Sequence, residues 1–127
     1  MSLMIYRVNP SIAVSDMEGA RHFYETKLGL AQGLDQADGS RVYACQGGTS
    51  LHVYPSPTNA GKTAGTVATW YVTDLELVVD ELSAAGVTFE RYDDPPLRTD
   101  ARGIHMLDDG KVAWFKDPDG NTFAIEQ

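Results

Sequence analysis

Apolar positions along the chain follow two periods, and the order of the periods occurs twice. Around residues 11–14 apolar and small or polar residues alternate, as in a half-buried strand. From Met17 the spacing changes. Met17, Ala20, Phe23, Tyr24 and Leu28 return at helical intervals and form one apolar stripe. The second half repeats this order. Trp70-Tyr71-Val72-Thr73-Asp74-Leu75-Glu76 parallels Ile12-Ala13-Val14-Ser15-Asp16-Met17-Glu18, and Leu75, Val78, Val79, Leu82 and Ala85 form a second stripe. Both copies run from strand to helix through S/T-x-x-E, the pattern of a capping box. It predicts that Ser15 and Thr73 cap the helices, with Glu18 and Glu76 reaching back. Gly29 and Gly86 follow the stripes, where a left-handed residue ends a helix.

Strands complete each copy. In the first half the pattern predicts strands over 30–34, 42–46 and 50–54, with turns at Ala37-Asp38-Gly39-Ser40 and Gly47-Gly48. In the second it predicts strands over 87–91, 111–116 and 121–126, with a short strand at 104–107 before Asp108-Asp109-Gly110. A Pro-rich loop over 93–103 interrupts that half, and Pro55 to Gly65 is the one linker-like stretch. The reading is α+β, with two βαβββ modules at about 4–54 and 66–127 in one domain, because a single module leaves a sheet face uncovered. Met1-Ser2-Leu3 before Met4 has the look of a vector remnant and is set aside.

Composition narrows the function classes. With 127 residues and 43% hydrophobic residues, the chain can bury a core. Ten basic against 18 acidic residues give a net charge of −8, unsuited to phosphate backbones or anionic membranes. No apolar run approaches the ~20 residues of a membrane helix. Cys45 is the single cysteine, so no internal disulfide forms, which fits a reducing, cytoplasmic setting.

The motifs Val14-Ser15-Asp16, Phe23-Tyr24, Leu28-Gly29-Leu30 and Asp117-Pro118-Asp119-Gly120-Asn121 resemble the glyoxalase/bleomycin-resistance/dioxygenase family, also called the vicinal oxygen chelate superfamily. The resemblance implies two modules curled around a concave cavity, and commonly a homodimer. Metal-dependent members of that family hold a divalent ion with residues in the first and last strands of each module. The matching positions here are Asn9, Val67, His52 and Ala124. Valine and alanine bind no metal, and His52 alone is not a site. Glu126 shares the parity of Ala124 but lies two residues on, about 6.6 Å along the strand. The resemblance therefore implies a member that works without metal.

The alternation assigns a cavity lining: Asn9, Ser11, Tyr54, Tyr71 and Trp114 as ligand-binding residues, with His52, His105 and Glu126 as candidate acid/base groups. Each also has a structural reading: Trp114 suits a core wall, His105 and His52 suit satisfied polar positions, and Glu126 suits a surface carboxylate. Arg98 and Arg102 are placed to meet an anion or to be solvated. The function this implies is binding of a small organic molecule, with lyase or isomerase chemistry if the protein is an enzyme. The alternatives are a metal-dependent lyase or dioxygenase, and an interaction module with a filled cavity.

Overall fold

Both repeats fold as a strand, a helix and three strands. In the computed structural model, which describes residues 2–127, the first repeat contains β1 (Ser11–Val14), α1 (Met17–Arg21), β2 (Leu34–Asp35), β3 (Arg41–Ala44) and β4 (Ser50–Pro55). The second contains β5 (Thr66–Tyr71), α2 (Leu75–Ala84), a small hairpin of β6 (Asp93–Asp94) and β7 (Leu97–Arg98), then β8 (Ile104–Met106), β9 (Lys111–Lys116) and β10 (Thr122–Glu126). The sheet orders match: β1-β4-β3-β2 and β5-β10-β9-β8. In each sheet the first strand lies parallel to the last and the other pairs are antiparallel. Among the described residues no helix is long and apolar enough to cross a membrane.

The helix starts differ from the capping-box expectation. Asp16 and Asp74, not Ser15 and Thr73, are the N-caps; their carboxylates accept the N–H groups of Glu18 and Leu77. An aspartate at this position also meets the positive end of the helix dipole. Ser15 is engaged elsewhere, donating its N–H and hydroxyl to Asp119. α1 continues as a π-helical turn over His22–Lys27, so the neighbours Phe23 and Tyr24 are both buried. α2 closes at Gly86 as expected: Val87 N–H reaches Leu82 C=O and Gly86 N–H reaches Ser83 C=O. Ala85, expected on the stripe, is exposed because it is already the C-cap.

Two expected strands shrink. Residues 30–33 pass over the Arg41 side chain, leaving only Leu34–Asp35 to pair with β3. Residues 87–91 form a single bridge, Phe89 to Phe115, because β8 occupies the rest of that edge of β9.

One core serves both sheets. Ile12, Val14, Tyr43, Leu51 and Val53 from the first sheet join Phe115, Phe123 and Ile125 from the second. Phe23 and Tyr24 lie between: Tyr24 packs edge-on against Phe123 at 5.9 Å and tilts against Tyr43 at 5.8 Å. By strand alternation the other face of each sheet points away from this core.

Asp117 to Asn121 clasps the repeats together. Buried Asp117 accepts Tyr24 Oη–H at 2.7 Å, Asn121 Nδ2–H at 2.9 Å and the N–H groups of Asp119 and Asn121. Burial, reinforced by Asp117, pushes the Tyr24 hydroxyl far up, so it remains a donor. Asn121 also donates to Ala13 C=O and accepts Gly61 N–H. Gly61 is left-handed at φ +68°, and a Cβ there would meet the Asp119 carbonyl. Gly61→Ala is expected to lose about 2–4 kcal/mol through strain and that overlap, read by urea denaturation.

A second, part-buried network fastens β3 to the helix. Arg41 contacts Glu25 and Asp35, each at 2.6 Å, and Tyr43 Oη–H donates to Glu25 at 3.0 Å. Burial pushes the Tyr43 hydroxyl up to about 12. For Glu25, burial raises the carboxyl, but hydrogen bonds from Arg41 and Tyr43 outweigh it and hold it below its ordinary 4.5. A depressed carboxyl stabilises the fold above its unfolded value, and that stability is lost as pH falls through the folded value. The stability gap between wild type and Glu25→Gln should therefore be full at neutral pH and close below pH 4.5, as read by urea unfolding across that range.

Candidate functional site

The outward face of the second sheet is built by register. Glu126 on β10 sits between Tyr71 on β5 and Val112 on β9, and Val112 sits beside His105 on β8. One row along, Ala124 lies between Thr69 and Trp114. Alternation turns these side chains to one side, and Leu97 of the β6–β7 hairpin leans over them. All but Tyr71, which is 80% exposed, border an open cavity of about 350 Å3 whose walls include Leu97, His105, Val112, Trp114, Ala124 and Glu126.

The aromatic wall is held from behind. Trp114 meets Tyr92 edge-on at 5.5 Å and lies 6.1 Å from the tilted His105 ring. His105 Nδ1 is 2.6 Å from the Arg98 carbonyl oxygen. The same nitrogen also lies 3.4 Å from the Arg98 N–H, so the Arg98 backbone holds Nδ1 and Nε2 is the ring nitrogen left over. Glu126 is half-buried, with no side-chain hydrogen bond or ion pair among the described residues.

The outward face of the first sheet carries the other candidates. Ser11 pairs with His52 in register, its hydroxyl 3.2 Å from His52 Nδ1, and His52 stacks on Tyr54 at 5.7 Å. Asn9 Oδ1 accepts Ser50 N–H at 3.0 Å, so this oxygen is taken by the end of the β1–β4 ladder. Within one chain the candidates thus form two groups on faces turned away from a common core: Asn9, Ser11, His52 and Tyr54 on one, and Tyr71, His105, Trp114 and Glu126 on the other.

Both loop arginines are committed elsewhere. Arg98 pairs with Asp93 at 3.3 Å, and Arg102 with Asp80 at 2.7 Å on α2. Sequence reasoning did not single out Tyr92 and Leu97. Their signal was the Pro95-Pro96 turn between Tyr92-Asp93-Asp94 and Leu97, read as a Pro-rich loop. A separate apolar pocket of about 170 Å3, walled by Leu28, Trp70, Val78 and Leu82, lies on the helix side and has no chemical group to offer.

The four positions that hold metal in related proteins carry Asn9, Val67, His52 and Ala124, and the Asn9 oxygen is already bonded. Among the described residues no three His, Cys, Asp or Glu side chains come together as a metal site.

The family model described as "Glyoxalase/Bleomycin resistance protein/Dioxygenase superfamily" matches residues 6–125. The chain belongs to this superfamily. Its paired βαβββ modules are those of superfamily members of known structure. A glyoxalase/bleomycin resistance protein from Streptomyces sp. CB03234 is 28% identical, with 92% of this chain and 96% of that one covered and a TM-score of 0.65. TnmS3, an antibiotic binding protein from the same Streptomyces, is 26% identical over 98% of both chains, with a TM-score of 0.68. A bleomycin-binding protein complexed with bleomycin shares the fold at a TM-score of 0.69 and 19% identity, with 96% and 98% covered. No curated protein matches the chain.

Proposed function

We propose that this superfamily member binds a small planar organic molecule against the outward face of its second sheet, with side chains alone and no metal. The observation that carries this reading is the cavity in which the Trp114 and His105 rings form a wall while Ala124 occupies the family's ligand position. About 350 Å3 lies in the range of small-molecule sites, which weighs against a filled interaction module. The likeness to an antibiotic binding protein at 26% identity supports it as well. His105 and the Glu126 carboxylate are the groups on this face that can exchange a proton, so proton transfer is the chemistry it best supports, should the ligand be turned over.

The working unit we propose is a homodimer. Three observations support it. β1 bonds only to β4 and β5 only to β10, leaving one edge of each open among the described residues. A groove of about 540 Å3 follows the β5 edge beside Pro10, Gln46 and Thr49. Met4, Ile5 and Val8 are largely exposed, the kind of apolar residues a partner covers. In such a dimer the first-sheet face of one copy, with His52 and Tyr54, closes over the second-sheet face of the other.

Thermal-shift screening of planar aromatic compounds tests the binding reading, since a ligand of the native state raises Tm. Trp114→Ala is expected to weaken any hit about tenfold or more while the protein remains folded. A stoichiometric divalent ion in the purified protein, or hits indifferent to Trp114, would overturn it.

A further inference from the structure

We infer that the molecule taken by this cavity carries a protonated amine one or two atoms away from a planar ring. The inference rests on the binding reading above and adds the charge of the ligand. Its starting point is Glu126, a half-buried carboxylate in an aromatic-walled cavity with no side-chain partner among the described residues. Partly burying a carboxylate costs free energy unless a donor or cation meets it.

Among the described residues of the same chain no Lys or Arg pairs with it. The four basic side chains of the surrounding elements are all turned to other carboxylates. Lys111 lies 3.5 Å from Glu76 and Lys116 lies 3.3 Å from Glu90, both on β9 beside Glu126's own strand. Arg98 and Arg102 hold Asp93 and Asp80. Lys111 also has the opposite parity to Trp114, so it lies on the core side of the sheet. The segments around the cavity are acidic: Asp93 and Asp94 in the hairpin, and Asp108 and Asp109 after Leu107. With a net charge of −8, the field at this face draws cations and repels anions.

The spacing sets the ligand's shape. Glu126 pairs with Val112, so Trp114 is its diagonal neighbour on the antiparallel strand, about 7–8 Å away between backbones. A ring stacked on Trp114 with an ammonium on a short arm spans that diagonal. The ammonium then donates to Glu126 in a charge-assisted hydrogen bond and lies within cation–π range of the indole. An aryl carboxylate of the same shape would place like charges together.

Three matched probes test this by calorimetry on the full-length protein: 1-naphthylmethylamine, 1-naphthalenemethanol and 1-naphthoic acid. The ammonium should bind about tenfold tighter than the alcohol, with the acid weakest. Glu126→Gln, nearly the same shape, should reduce the amine's advantage over the alcohol to within about twofold. Raising salt on the wild type should narrow the same gap with no variant involved. Equal binding of amine and alcohol, or tighter binding of the acid, overturns the charge inference and leaves the aromatic site standing. No binding by any of the three overturns both.

Discussion

Asp117→Ala is expected to remove about 3–5 kcal/mol of stability, much of what holds a domain of this size together. Four donors converge on this carboxylate: Tyr24 Oη, Asn121 Nδ2 and the main-chain N–H groups of Asp119 and Asn121. Alanine leaves all four without that acceptor at a site where Asp117 is 5% exposed, Asn121 4% and Tyr24 0%. Each stranded donor costs about 1–3 kcal/mol, and losses within one network do not add fully. The midpoint should fall on the order of 10–20 °C. Tyr24→Phe removes one donor and keeps the ring in the core, so it should cost only about 1–2 kcal/mol. The double variant should then lose less than the two single losses together, because the carboxylate has already lost its tyrosine. Urea unfolding of the four proteins measures that coupling. Full additivity would mean that the Tyr24–Asp117 bond contributes nothing.

Much of this fold was legible because its signals are periodic and local. The Met17-to-Leu28 and Leu75-to-Leu82 stripes, the glycines that end the helices, and the alternation that buries Phe123 and Ile125 depend on near neighbours. The clasp is a different matter. Ser15 matched a helix cap, yet it bonds to Asp119, far away in sequence. Nothing local says that a hydroxyl will prefer a distant carboxylate over its own helix. The linker-like stretch had the same limit: its composition says nothing of where it docks, and Gly61 is pinned to the Asp117–Asn121 turn by Asn121.

The candidate site was partly legible. Parity put Thr69, Ala124 and Trp114 in one row, but a register shift at the start of β5 breaks the alternation there, so Thr66 joins the cavity beside Thr69. Parity says nothing of how two sheets stand relative to each other. That is decided by the bulky residues between them, Phe23, Tyr24, Tyr43, Phe115 and Phe123, which turn the two outward faces apart. Hence His52 and Trp114 belong to the same inferred lining but to opposite faces of one chain.

Mixing two inactive variants is expected to restore binding if the proposed homodimer is right. In that dimer each site takes His52 from one copy and Trp114 from the other. His52→Ala damages one half of every site and Trp114→Ala the other half, and each alone should weaken an aromatic ligand about tenfold or more. A mixed dimer differs: one of its sites collects both substitutions, while the other has His52 and Trp114 intact. Random exchange between equal amounts makes half the dimers mixed, so about a quarter of all sites should bind at wild-type affinity, as two-fold symmetry requires. Calorimetry before and after co-refolding reads this as a stoichiometry rising from near zero to about a quarter. A site confined to one chain behaves otherwise. His52→Ala would then keep its affinity, because the second-sheet face is complete without it, and the mixture would bind as the simple average of its components. The two outcomes separate in a single titration, and neither depends on knowing the natural ligand.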